Sequence, residues 1–395
     1  MSFSSANRTA LLLVKETVWG TTPATPALQE MRYTGESLEN SISTEKSKEI
    51  RSDRMLSDLQ VVDSSPSGSF DFEMSASTFD LLIESALMGS WSAQLAIAGV
   101  AGDISTTTAT GAANLTSTTS GKFTNVQLGQ YIRLSGFTSA VNGYFQVIDK
   151  IDNQNLELFP VPGAAETPSG TAAKVDGSML RNGVAEQSYT LLKEFNDTTV
   201  QTFRIFRGMR VTGMSLNMST GSLLTGSFNF IGKSQEDTET AIVGATRVPT
   251  TSTEVMNCVS NIKNITQDGG AVGSEGSIMS LTLELDNQHR EQKGIGVLGN
   301  VGVSAGTLSV TANASQYFED LDQSTKFKNS TAFAFSYRFQ DNAGNSYIFT
   351  LPRSKYETFA ASASGENSDI MAETSFAATR DPVTNCMVQI DRFSA

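Results

Sequence analysis

Few side chains in this sequence are of a type and spacing that could do chemistry. The only histidine, His289, stands among Gln288, Arg290 and Glu291, where a solvated loop position is expected. A lone, solvated imidazole leaves no histidine-dependent triad and no multi-histidine metal site. The neighbouring acids Glu319 and Asp320 could serve as an acid and base pair, but they fall on an expected helix surface with no sign of a pocket. Gly294-Ile295-Gly296-Val297-Leu298-Gly299 has the spacing of a dinucleotide-binding turn. No buried strand precedes it and no helix-forming stretch follows, so it reads as a flexible loop return. No phosphate-cradling GxxxxGK[ST] run occurs. Cys258 and Cys386 read as two buried free thiols. These residues predict no catalytic site, no bound metal and no cofactor; a hydrolase would need carboxylate chemistry that nothing here announces.

The informative residues lie on strands. Asp71 and Glu73 alternate with Phe70, Phe72 and Met74, and Ser215, Asn217 and Ser219 alternate with Met214, Leu216 and Met218. Ser227 and Asn229 oppose Phe228 and Phe230, while Thr282, Glu284 and Asp286 oppose Leu281, Leu283 and Leu285. Period-two alternation marks half-buried strands. Their polar faces hold hydroxyls, amides and acids with hardly a lysine or arginine, whereas ordinary solvated faces mix both signs.

Composition agrees with a β-rich chain. Of 395 residues 39% are hydrophobic, only 17% are charged, and 32 are glycine. That charge content is below the roughly 25% of ordinary soluble domains. The formal net charge of −13 makes a general nucleic-acid binder a poor reading, because phosphate neutralisation needs clustered Lys and Arg. The apolar run Leu11–Val14 is too short for a signal peptide, and nothing approaches the ~20 apolar residues of a membrane span. Synthesis in the cytoplasm and no membrane partner are therefore expected.

A weak duplication organises the chain. Ser67 to Ser77 matches Ala305 to Ser315, with Gly68 on Gly306, an offset of 306 − 68 = 238. In the first copy Ser77 and Asp80 have the spacing of a capping box. Phe79, Leu82, Ile83, Ala86 and Leu87 then form one helical stripe closed by Gly89. Tyr317, Phe318, Leu321 and Phe327 make a shorter version. Further on, Phe195 and Phe203 match Phe339 and Tyr347, an offset of 339 − 195 = 144, and Ser227-Phe228 matches Ser375-Phe376. The first copy therefore carries 238 − 144 = 94 extra residues. These fall where the chain turns rich in Thr, Ser, Ala and Gly, with short strands expected at 130–134, 144–148 and 156–159. The predicted fold is mainly β, with the first module at 1–91 and 180–248, an inserted small all-β domain at 92–179, and the second module at 249–395. Each module has a flanking helix and a long segment between its first strands, 43–65 and 287–304, which would serve as a contact arm.

Several motifs, in order, resemble a known family. Leu283-Glu284-Leu285-Asp286-Asn287, Gly296 to Gly299, Tyr317-Phe318 and Asp341 to Arg353 are similar to siphophage tail tube proteins. So are Lys15 to Gly20, Arg181-Asn182-Gly183, Phe203 to Met209 and Gly226 to Lys233. The resemblance implies β-sandwich or half-barrel modules that join sheets around a ring, six modules to a ring. With two modules per chain it implies homotrimeric, pseudo-hexameric rings stacked into a virion tail tube. The implied partners are the tape-measure protein, the tail terminator and distal tail proteins, with DNA passing through unbound. On this reading Asp71, Glu73, Glu284 and Asp286 line the channel, and Lys46, Lys48, Arg51, Arg54, Arg290 and Lys293 lie in ring-contact loops. The alternative is a host-surface or carbohydrate-binding β protein of a tail tip or an adhesin. Trp19 and Trp91 are too few for an aromatic sugar platform.

Overall fold

The alternating segments fold as paired strands, since Thr, Val, Phe and Ile suit a pleated surface with one face buried. The computed structural model describes residues 5–169, 173–273, 277–363 and 365–395. The remaining residues, which fall within both expected modules and the insertion, lie outside the described residues. The chain is mainly β, with two short α-helices among the described residues. Its first part contributes β1 (Thr9–Lys15), β2 (Gly35–Glu36), β3 (Glu39–Lys46), β4 (Leu59–Glu73), α1 (Asp80–Ala86), β5 (Lys174–Arg181), β6 (Tyr189–Phe195), β7 (Thr202–Ser219) and β8 (Thr225–Ile231). Its second part contributes β9 (Ile262–Gln267), β10 (Ile278–Asp286), β11 (Ser309–Tyr317), α2 (Asp322–Lys328), β12 (Phe333–Gln340), β13 (Ser346–Ser362), β14 (Met371–Ala378) and β15 (Gln389–Phe393).

The same pairing order occurs twice. Antiparallel neighbours run β1–β6–β7–β8–β4–β3 in the first part and β9–β12–β13–β14–β11–β10 in the second. A further pairing joins them, because Gly213–Ser219 of β7 lies antiparallel to Asp286–Ser280 of β10. The register also revises the repeat. Phe228 faces Phe70 and Phe376 faces Ala312, so Phe70 corresponds to Ala312, an offset of 312 − 70 = 242. The helix starts agree, 322 − 80 = 242. The sequence match is four residues out of step, an even number that keeps every side chain on its face and so hides the error.

One apolar core runs through both parts beneath the joined sheet and includes Phe70, Phe72, Phe79, Phe228, Leu283, Phe335, Phe349 and Phe376. The helix ends differ from expectation. Ser77 adopts φ 61° and its amide donates to Tyr347 Oη at 2.8 Å, while Phe79 occupies the N-cap position without a side-chain cap. The turn from strand to helix needs a left-handed residue there, which removes the hydroxyl from capping. At the other end Met88, not Gly89, takes the left-handed conformation. Gly89 is required for a different reason, since a Cβ there would collide with the Arg181 carbonyl. In the second copy Tyr317 still belongs to β11 and Leu321 is exposed, so its helix begins only at Asp322.

A separate core of Leu95, Ile104, Leu115, Phe123, Ile132, Val147, Leu158, Val175 and their neighbours fills the segment inserted after α1. Its strands include Tyr131–Ser135, Gly143–Lys150 and Asn155–Phe159, within a few residues of those expected. This segment is not tethered by a loop alone. β5 pairs through Lys174–Gly177 with Leu95–Ala98, and through Ser178–Arg181 with β15, which in turn pairs with β13. Tyr144 Oη accepts from Ser346 Oγ at 2.9 Å and its ring carries the Arg338 guanidinium at 4.2 Å. Arg133 donates to the Ser394 carbonyl at 2.6 Å, and Gln389 to the Gly129 carbonyl at 2.8 Å. Asp391 is fully buried in this seam, and burial pushes its carboxyl well above the usual range, toward the neutral form.

Within the insertion Asp103 is 1% exposed and organises a turn. Burial alone would raise its carboxyl, but the Lys122 ammonium at 2.9 Å and the hydroxyls of Ser117, Thr119 and Thr118 hold it well below the usual range. A depressed carboxylate stabilises the fold above its unfolded pKa, near 4, and that contribution fades as pH falls below this value. Asp103→Asn is therefore expected to cost about 2–3 kcal/mol at pH 7 and much less at the acid end of the melt series. Thermal melts of wild type and variant from pH 7 to pH 3 check this; a pH-independent difference would contradict it.

Candidate channel-facing sheet surface

Register assembles the polar faces into one surface. Asp71 on β4 lies opposite Ser227 on β8, Ser227 opposite Ser215 on β7, Ser215 opposite Glu284 on β10, and Glu284 opposite Thr311 on β11. The next row reads Glu73, Thr225, Asn217, Thr282, Asn313, Ser375 and Thr358. On the other side Ser69, Asn229, Gly213, Asp286 and Ser309 line up. The first cation met along any of these rows is Lys355, beyond Ala377. Asp71, Glu284 and Asp286 are exposed and Glu73 is half-buried. Asp71 and Glu284 are three strand spacings apart, about 14 Å.

The opposite face explains why the polar side chains all point one way. Phe70, Phe228, Met214, Leu285 and Val310 alternate with them and are at most 3% exposed. A one-residue slip in any strand would bury an acid and expose a Phe or Leu. The four acids are thus gathered onto one face of one sheet, although they come from both copies of the repeat. Ser215 and Ser227 hydroxyls meet at 2.9 Å, and Ser315 donates to Glu373 at 2.6 Å, so the face carries its own short polar links.

The basic residues assigned to loops are distributed differently. Lys46, Lys48, Arg51 and Arg54 are exposed on a hairpin made by β3 and the start of β4, where Arg51 pairs with Asp53 at 2.6 Å. Ile42, Ile50, Met55, Leu56, Leu59, Val61 and Val62 are more than half exposed on the same hairpin. Arg290 is exposed on the second long segment, which pairs Arg290–Gln292 with Gly302–Ser304. Lys293 is committed inside the chain, to Asp63 at 2.8 Å and Glu291 at 3.4 Å. It fastens the second segment against the base of the first hairpin, assisted by Asn300 donating to the Gly232 carbonyl at 2.6 Å.

His289 is half-buried rather than solvated. Burial, then the nearby Arg210 cation, lowers its pKa, and its Nδ1 lacks a partner. Gly294–Gly299 is the tip between Arg290–Gln292 and Gly302–Ser304, with no helix after it. Both cysteines are free, and burial raises the Cys386 thiol. Among the described residues no group of three or more His, Cys, Asp or Glu converges on a point where a metal could sit.

Sequence reasoning missed two polar hubs. Glu16 is 7% exposed and its carboxylate accepts from Gly208 N, Gly20 N, Ser188 Oγ and Thr190 Oγ1 at 2.7–2.9 Å, fixing β1 against β6 and β7. Asp80 accepts from Tyr347 Oη at 2.6 Å and pairs with Arg392, tying α1 to the second part. Both join residues 170 or more positions apart, for which no local sequence signal exists.

A family model described as phage tail tube protein matches residues 6–378, nearly the whole chain. The chain belongs to the phage tail tube protein family. No curated protein matches it. Membership makes this chain a structural component of a virion that associates with itself into a tube. The chain carries the duplicated pairing order as two sheet units already joined edge to edge through β7 and β10.

Proposed function

We propose that this tail tube protein builds rings of three chains, six sheet modules around a bore, with the acid and hydroxyl face toward the passing genome. The observation that carries the reading is the continuous β4–β8–β7–β10–β11 sheet, whose one face is apolar core and whose other shows no cation on these strands along the rows through Asp71, Glu73 and Ser69. B-DNA carries one negative charge per ~1.7 Å of axis, so such a wall repels it weakly and offers no phosphate clamp. On this reading Asp71, Glu73, Glu284 and Asp286 line the channel. The modules are 1–91 with 180–248, and 249–395. The hairpin with Lys46, Lys48, Arg51 and Arg54, and the segment with Arg290, reach the next ring; Lys293 braces them.

The guest at 92–179 projects outward, since a bulky domain would obstruct the bore. Its seam with the second part is largely polar, so removing 95–177 should uncover hydrogen-bonding groups and leave tubes able to form. The tape-measure protein fills the bore before DNA does, and terminator and distal proteins close the ends. The siphovirus setting, DNA ejection and synthesis in the host cytoplasm follow the same resemblance. Nothing favours the host-surface alternative: Trp19 is held between Arg210 and Lys233, and Trp91 lies under Arg392 at 4.4 Å. Electron cryomicroscopy of the purified, assembled protein tests the proposal. Three chains per ring with the four acids facing the lumen are expected; acids facing outward or buried between chains would overturn it.

A further inference from the structure

The internal joint is a template for a second one. In it, the edge of β7 left free by β8 receives β10, and the inward row is wholly apolar: Met214 against Leu285, Leu216 against Leu283, Met218 against Leu281, none more than 4% exposed. Two edges of the chain stand in the corresponding positions without a partner among the described residues. One is the outer side of β2 and the start of β3, which pair only with β4. The other is Lys355–Ser362 of β13, which pairs only with β14 over that stretch. Carrying the register across, Leu283 faces Ala312 as Glu36 faces Phe70, so Leu281, Leu283 and Leu285 correspond to Thr34, Glu36 and Leu38. Met214 and Leu216 correspond to Tyr356 and Phe359 through their partners Phe228 and Gly226, and Phe376 and Thr374. Open edges of this kind template pairing, and two different edges on one chain give a head-to-tail contact that can close into a ring.

The open edge is polar at two positions where the internal joint has leucine, Thr34 for Leu281 and Glu36 for Leu283, and only the second brings a charge. Where the internal joint has Leu283, fully buried, the open edge has Glu36, paired with Lys193. Both side chains keep 15% of their surface in water, and Lys193 also lies 5.3 Å from the Phe195 ring. A neighbouring strand laid along this edge would place Phe359 opposite Glu36 and strip that remaining water from the pair. Sealing an ion pair often costs more than its mutual attraction returns, and a well-packed apolar pair in its place is commonly more stable.

Resting on the tube-wall reading above, we propose that a second copy of this chain docks its Thr34–Leu38 edge on the Tyr356–Ser362 edge of the first, and that the Glu36–Lys193 pair holds this joint weaker than the internal one. Single copies then stay apart at concentrations where the internal joint is already made, which favours addition to a growing tube, where neighbouring rings supply further contacts, over rings formed at random.

Two measurements test this on the full chain. Ser37→Cys with Thr358→Cys places thiols directly opposite across the proposed joint, and oxidised tubes should run as covalent oligomers under denaturing, non-reducing conditions. Tubes that form without cross-linking would overturn the joint while leaving the tube reading intact; failure of the unmodified protein to form any tube would sink both. Glu36→Leu with Lys193→Met should lower the concentration at which tubes appear by about tenfold or more. An unchanged or higher threshold, with the variant's melt as cooperative as wild type, would overturn the ion pair's role. Should the double variant melt non-cooperatively, Glu36→Gln supplies the arm: it leaves Lys193 unpaired at the joint and should raise the threshold, and an unaltered threshold counts against the proposal.

Discussion

Asp80→Ala should cost the folded chain about 3 kcal/mol, near the lower end for removing one partner of a buried pair. The Asp80 and Arg392 side chains retain only 15% and 27% of their exposure, and Asp80 also accepts from the buried Tyr347 hydroxyl at 2.6 Å. Burial first, and the Asp80 carboxylate second, push that hydroxyl's pKa far up, so it remains a donor at any working pH. Alanine removes the acceptor from Tyr347 and the counter-charge from Arg392, which is left over the Trp91 ring. Asp80→Asn keeps an acceptor and should cost roughly half as much, and Tyr347→Phe about 1 kcal/mol, the worth of one hydrogen bond. Urea melts of the three variants check the order. A loss below 1 kcal/mol for Asp80→Ala would mean that α1 is held to the second part by apolar packing alone.

That tie marks the boundary of what the sequence made legible. Period-two alternation at Asp71–Met74 and Leu281–Asp286 was enough to place acids on one face and apolar residues on the other, because side-chain direction in a strand is local. The mainly β fold and the duplication were readable for the same reason. The repeat offset was misjudged by 242 − 238 = 4 residues, since an even slip preserves alternation and only cross-strand register exposes it. Ser77 and Asp80 have capping-box spacing, yet Asp80 serves Arg392, 312 positions away. Spacing describes what a residue can do nearby and says nothing of a stronger partner brought in by topology. Likewise the composition shift pointed to a separate segment near 92–179, while its contacts with β12, β13 and β15 run through Tyr144, Arg338, Ser346 and Gln389, which no local pattern connects.

Asp71→Lys with Glu284→Lys is expected to leave tubes intact and to slow genome passage. Both acids are exposed in the single chain, and their neighbours along the row are Ser227, Ser215 and Thr311, so lysine can replace them without displacing packed groups. In a ring of three chains the pair would set six cations around the bore at one level. At 0.1 M salt a charge is felt over about 10 Å, so phosphates close to this wall would be held where the native face repels them. Affinity for a phosphate backbone falls steeply with salt in proportion to the contacts made, so ejection should be slowed by about tenfold or more at low salt and recover as salt is raised. Asp149→Lys, an exposed acid on the inserted domain, changes net charge by as much per residue and should leave ejection unaltered. Ejection rates of particles carrying each variant, at matched particle number, separate the possibilities. Loss of tubes from the double lysine variant would place these acids at a contact between chains; normal ejection at low salt would place them on the outer surface. Only slowed, salt-reversible passage from intact tubes agrees with a lumen-facing sheet whose function is to present the genome with nothing it can hold.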